Sequence, residues 1–157
     1  MKRFKYAAPG LAGLDPAAEA VCLALACEAA ARMPRPLPGA IVPVPLHPAR
    51  IRARGFQPAG VLARAVARRL GVPLLRERLG RVRDTPSQTG RGRAERRRNV
   101  AGCFALVSPA PLPPRLWLVD DVVTTGATLG EAARVLRRAG VREIGAVCIA
   151  RTPAAPR

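Results

Sequence analysis

The sequence predicts an α/β domain with a central, mainly parallel sheet flanked by helices, and three observations predict it. Short apolar runs at Ile41-Val42-Pro43-Val44-Pro45, Leu116-Trp117-Leu118-Val119 and Ile144 to Ala150 have the length and bounding turn residues of buried strands. Segments with apolar residues at helical spacing alternate with them, at Gly60 to Leu70 and Thr128 to Ala139. That alternation is the pattern of a sheet covered by crossover helices. The 157 residues suffice for one domain with one core, and 49% hydrophobic residues exclude global disorder. We therefore expect a single domain over 1–157, with an N-terminal helical segment at 1–38 and a core at 39–151.

Pro16 followed by strong helix formers predicts a helix over 16–33, ended by the proline-rich stretch Pro34 to Pro38. The prolines after Ile41 mark the end of the first strand, because proline cannot donate to a sheet ladder. Gly71 closes the next helix, and Val72-Pro73-Leu74-Leu75 begins a further strand. Residues 81–100 are polar and arginine-rich with Pro86, Gly90 and Gly92, and read as a long loop with a short helix near Glu95 to Asn99. Loops of that length in a compact domain are usually functional. Cys103 to Val107 is a strand leaving the loop, Pro109 to Pro114 a rigid linker, and Gly140 the end of the last helix.

Charge is the first unusual feature. Lys and Arg number 27 against 10 Asp and Glu, a net of +17, and only Lys2 and Lys5 are lysines. Between Arg50 and Arg98 stand 15 arginines against Glu77, Asp84 and Glu95. Such a field attracts polyanions: phosphates, nucleic acid or anionic lipid. A compositional bias explains arginine in place of lysine; it does not explain the shortage of acids. Cys22, Cys27, Cys103 and Cys148 form no C-x-x-C pair and no zinc-ligand spacing, and are expected as small buried hydrophobes. No apolar run approaches the ~20 residues that span a bilayer. The basic start at Lys2, Arg3 and Lys5 is followed by an apolar stretch interrupted by Pro9, Asp15, Pro16 and Glu19, which argues against a secretory signal. A cytoplasmic location is expected.

The strongest local signal runs from Leu116 to Thr128, LWLVDDVVTTGAT. A buried strand ends in two adjacent carboxylates, Asp120 and Asp121, at the edge where open α/β sheets bind ligands. A turn of Thr124, Thr125, Gly126, Ala127 and Thr128 then opens a helix. It offers backbone N–H groups, hydroxyls and a positive helix terminus, the requirements of a phosphate. Gly126 lets the backbone approach closely. Paired carboxylates suit vicinal sugar hydroxyls and a magnesium ion, which prefers oxygen ligands. Phosphate and diol together describe a ribose 5-phosphate.

This segment resembles the phosphoribosyl pyrophosphate signature of type I phosphoribosyltransferases at every position. Val42-Pro43-Val44-Pro45-Leu46-His47, Arg54-Gly55-Phe56-Gln57, Arg83-Asp84-Thr85-Pro86-Ser87-Gln88 and Arg97-Arg98-Asn99-Val100-Ala101-Gly102-Cys103-Phe104 resemble the ComF family, its competence-associated branch, in order and spacing. Lys5-Tyr6 resembles that family's entry segment. The sequence departs in two places. It carries no four-cysteine zinc module, and Gln57-Pro58 follows Phe56 where the family reads Asn-Gln.

The resemblance implies a type I phosphoribosyltransferase-like fold with a flexible loop over the site. It implies that Asp120 and Asp121 engage the ribose hydroxyls and a magnesium ion, directly or indirectly, and that Thr124 to Thr128 hold the 5-phosphate. Val44, Pro45 and Leu46 match the pyrophosphate-loop region, and Arg52 and Arg54 stand near enough in sequence to reach it; a solvated basic loop is the competing reading. Arg83, Gln88, Arg98 and Asn99 belong to the candidate flexible loop. His47, the sole histidine, is expected beside the pyrophosphate turn rather than as a base, and Trp117 in the core.

Two functions fit. One is a phosphoribosyltransferase whose acceptor is unknown; Thr124 stands where 6-oxopurine enzymes typically carry an aspartate, which counts against that class. The other is a non-catalytic protein that senses phosphoribosyl pyrophosphate and binds single-stranded DNA through its arginines in natural competence. The scarcity of aromatics to stack bases counts against it. A homo-oligomer or a partner in the competence machinery fits either, and neither requires membrane insertion.

Overall fold

The computed structural model describes residues 16–85 and 93–152. The first helix, α1, is Pro16–Ala31. It is followed by β1 (Ile41–Pro43), α2 (Pro48–Arg54), α3 (Pro58–Leu70) and β2 (Leu79–Arg81). Then come α4 (Arg93–Val100), β3 (Phe104–Leu106), β4 (Arg115–Val123), α5 (Ala127–Arg138) and β5 (Glu143–Arg151).

The main sheet has three parallel strands in the order β1-β4-β5. Ile41, Val42, Leu116, Leu118 and Val119 are essentially sealed from solvent, as expected of a parallel sheet covered on both faces. On one face α3 and α1 pack Leu62, Val66 and Ala26 against Ile41 and Val119. On the other, α5 packs Ala132 and Leu136 against Val42, Leu116 and Leu118. The ring of Trp117 lies over Gly145 on β5, where a Cβ would overlap it. Glycine is required there by space, not by backbone conformation.

The structure alters four expectations. The strand at 72–75 reduces to a single parallel bridge between Leu74 and Ile41. Residues 103–107 do not enter the main sheet; β3 pairs antiparallel with β2 in a separate two-stranded ribbon. Helix α2 is not legible in the sequence, because its seven residues are too few for apolar periodicity and none is buried. Its start is set by the His47 side chain, whose Nδ1 accepts from the Ala49 backbone N–H at 3.4 Å, and its end by Gly55 at φ 81°. Finally, Cys27 is exposed on α1, whereas Cys103 is buried as expected.

Candidate phosphate-binding cleft

The cleft lies at the C-terminal edge of the main sheet. Pro43 pairs with Val119, and the Val44 N–H donates to the Val119 carbonyl at 2.9 Å. The turn after β1 and the end of β4 therefore emerge side by side. Between them, roofed by β2 and α4, lies a cavity of about 440 Å³.

Its floor comes from β4, which runs on through the carboxylates to Val123 instead of ending at Val119. Asp120 and Asp121 both line the cavity. Each is oriented by a neighbouring backbone group: Asp121 N–H donates to Asp120 Oδ1, and Val122 N–H to Asp121 Oδ1, both at 3.0 Å. Burial pushes the Asp120 carboxyl up to about 7, helped by the adjacent Asp121 and opposed by Arg81. An acid held that far above the usual carboxylate range is short of positive charge or of hydroxyl donors.

Gly126, at φ 74°, is the N-cap of α5 and turns the chain sharply from strand end to helix start. Thr124, Thr125, Ala127 and Thr128 line the cavity around this turn. The Ala127 N–H leans toward Thr125 Oγ1 at 3.4 Å. The α5 terminus has no acid in its first turn, so no carboxylate of the helix itself neutralises its positive end.

Val44, Pro45 and Leu46 form the opposite wall, and Gln57 Nε2 fixes that turn by donating to the Val44 carbonyl at 3.2 Å. This position departs from the ComF pattern, yet its amide still braces the wall.

The basic groups in the cavity are Arg50, Arg81 and Arg96, none singled out from sequence. Arg52, Arg54, Arg83 and Arg98 do not line it. Arg54 stacks over Phe56 at 5.1 Å, and Arg83 Nη2 donates to the carbonyls of Asn99 at 3.1 Å and Ala101 at 2.6 Å. Arg98 points to solvent on α4. Asn99 does line the cavity, His47 does not, and Gln88 lies outside the described residues. Burial, and the charge of Arg50, lower the Arg81 guanidinium below its ordinary range, although it remains a cation. No described residue accepts a hydrogen bond from the buried Nε of Arg81 or of Arg96. A helical phase and a strand pleat decide which arginine of a run turns inward, and only tertiary contacts reveal that choice.

The donor set suits a hard cation. Two carboxylates stand at the cavity floor, and no group of three His, Cys, Asp or Glu side chains forms among the described residues. Magnesium commonly takes one or two carboxylates and completes its shell with water and phosphate oxygens.

Among the described residues, no helix is long and apolar enough to cross a membrane. The phosphoribosyl transferase domain model matches residues 51–157. Competence protein F of Haemophilus influenzae is 44% identical over 110 residues, covering 69% of this chain and 48% of that protein. DNA utilization protein YhgH of Salmonella typhi is 38% identical over 117 residues, covering 74% of this chain and 51% of that protein. The chain thus spans about half the length of the curated relatives it matches. Among solved structures, glutamine phosphoribosylpyrophosphate amidotransferase from B. subtilis superposes with a TM-score of 0.58 at 21% identity, covering 88% of this chain and 28% of that one. The fold, the strand–turn–helix at 115–138 and these matches agree: the chain belongs to the phosphoribosyl transferase domain family, in its ComF-type branch.

Proposed function

We propose that the cleft binds phosphoribosyl pyrophosphate together with magnesium, and that the protein works in DNA uptake. The observation that carries the reading is the joining of an α5 N-terminus with no acid in its first turn, paired carboxylates and three arginines around one cavity. The turn at Thr124 to Thr128 takes the 5-phosphate on backbone N–H groups and hydroxyls. Asp120 and Asp121 accept hydrogen bonds from the ribose hydroxyls and face the metal. Arg50, Arg81 and Arg96 neutralise the remaining phosphate charge. Magnesium, when bound, supplies charge neutralisation at the leaving pyrophosphate. The arginines would hold that group in place as the anomeric carbon becomes cationic.

The link to DNA rests on relatives named for competence and DNA utilization. The chain's net charge of +17 favours a second reading, in which the protein binds single-stranded DNA and uses the cleft as a sensor.

The test is calorimetric titration of phosphoribosyl pyrophosphate with magnesium into the wild type and the paired Asp120→Asn/Asp121→Asn variant. Binding lost in the variant supports the reading; no binding by folded wild type overturns it. Release of pyrophosphate during an acceptor screen then separates enzyme from sensor.

A further inference from the structure

Arg96, Asn99 and Val100 of α4 line the roof of the cleft. The helix ends at Val100, and the chain turns through Ala101 and Gly102, at φ 69°, into β3. Side chains from two other elements hold that turn. From α5, Glu131 Oε1 accepts the Gly102 N–H at 2.7 Å. From the end of β2, Arg83 Nη2 donates to the carbonyls of Asn99 at 3.1 Å and Ala101 at 2.6 Å. Carbonyls at a helix C-terminus have no partner within the helix, so this capture fixes the end of α4 from outside. Val100 also packs against the core to which Ala132 and Leu136 of α5 belong.

Glu131 is itself tightly set. Its side chain is only 9% exposed, and Arg134 donates to both carboxylate oxygens, at 2.8 and 2.5 Å. That pairing, and then the Gly102 N–H, hold the carboxyl below its ordinary range, so Glu131 accepts as a carboxylate at neutral pH. An ionised acceptor makes the stronger hydrogen bond. An ion pair that served the helix alone would need no partner in another element. The same helix begins beside the cleft, where Ala127 and Thr128 line the cavity. One rigid element therefore carries the phosphate turn at its start and the grip on the roof one turn later.

We propose that Glu131 is a positioning residue: by holding the Gly102 N–H it fixes α4 against α5 and keeps Arg96 aimed at a ligand seated on the 124–128 turn. The inference rests on the sugar-phosphate reading of the cleft and adds a residue that does not line the cavity and acts through another. A guanidinium fork matches phosphate oxygens only when its orientation is held, so a loosened turn weakens binding even though the charge of Arg96 remains.

Glu131→Ala removes the grip, Glu131→Gln keeps an oxygen acceptor for Gly102, and Arg134→Met removes the ion pair but leaves the Gly102 bond. Phosphoribosyl pyrophosphate with magnesium is titrated by calorimetry into each, into Arg96→Met, and into Arg96→Met combined with Glu131→Ala. Glu131→Ala should weaken binding on the order of 10-fold. Glu131→Gln and Arg134→Met should stay within about 3-fold of wild type. Added to Arg96→Met, Glu131→Ala should cost less than about 2-fold more, because a residue that acts through another has little left to lose once that one is gone. Hydrogen exchange of the ligand-free proteins should show the amides of 96–102 opening about 10-fold faster in Glu131→Ala, with β4 unchanged. Arg83→Met loosens the same turn from its other side; it should show the same loss, dependent on Arg96, and serves if Glu131→Ala does not fold. Unchanged affinity in folded Glu131→Ala, a full loss that persists beside Arg96→Met, or unaltered exchange at 96–102 overturns the inference and leaves the sugar-phosphate reading intact. A folded wild type that binds no phosphoribosyl pyrophosphate overturns both.

Discussion

Cys148 on β5 stands directly opposite Asp120 on β4 across the parallel ladder. Burial raises the Cys148 thiol above its ordinary range, and the neighbouring Asp120 carboxylate raises it further. The thiol is a reporter of charge at the cleft floor, since only the thiolate reacts with alkylating agents. At pH 8.5, Asp120→Asn should speed Cys148 alkylation several-fold, with the exposed Cys27 as an internal control that does not change. Peptide mapping by mass spectrometry reads both sites, and an unaltered Cys148 rate would show that Asp120 does not govern the thiol.

The same carboxylate makes stability depend on pH. In the folded chain burial pushes the Asp120 carboxyl up to about 7, from an unperturbed 3.8. The folded protein keeps a proton that the unfolded chain has given up, so this group's contribution is fully present below 3.8 and is lost as pH rises through 7. The span sets an upper limit of about 4 kcal/mol. Asp120→Asn should therefore stabilise the ligand-free protein at pH 8.5 and leave it nearly unchanged at low pH, where both side chains are neutral. Urea unfolding across the pH range checks it; a constant difference between the two proteins would contradict it.

Arg96 and Arg98 are two residues apart on α4, and only Arg96 lines the cleft. Arg96→Met should lower phosphoribosyl pyrophosphate affinity on the order of 10-fold, the worth of one charge-assisted hydrogen bond. Arg98→Met should alter it by less than about 2-fold, because an exposed charge is screened by solvent and salt. Equal effects of the two substitutions would mean that the summed basic field, not geometry, recognises the ligand.

Two glycines should respond in opposite directions. A Cβ on Gly145 would overlap the Trp117 ring, so Gly145→Val should destabilise the fold by about 1–3 kcal/mol through overpacking. Gly130, inside α5, has open space where a methyl group would stand, with no heavy atom within 4 Å, so Gly130→Ala should stabilise by about 0.5–1 kcal/mol. Thermal and urea unfolding of both variants measure the contrast, and a stabilised Gly145→Val would show that Trp117 moves freely.

The order of residues alone is enough to place the strand, acid pair, glycine turn and helix between Arg115 and Arg138, and with them the fold class. Each of those features is local. Four apolar residues in a row make a buried strand, Gly126 takes a positive φ, and α5 carries a clear apolar stripe. Val44 to Leu46 and Asn99, which line the cavity, are pointed to by the family resemblance and not by local pattern. Neither separates Arg50, Arg81 and Arg96 from Arg52, Arg54, Arg83 and Arg98. The side chains are chemically identical, and only orientation distinguishes them. That orientation comes from contacts distant in sequence. Arg50 is turned by the phase of α2 and by Asp84 and Thr85, 34 and 35 residues away. Arg81 and Arg83 both project from the β2 end, but Thr85 holds the first at the cavity, whereas the carbonyls of Asn99 and Ala101 draw the second aside. Arg96 is brought over the cleft because α4 docks on α5, where Glu131 Oε1 accepts the Gly102 N–H at 2.7 Å. Local pattern decides where a backbone bends; packing decides which of many equal charges faces the ligand.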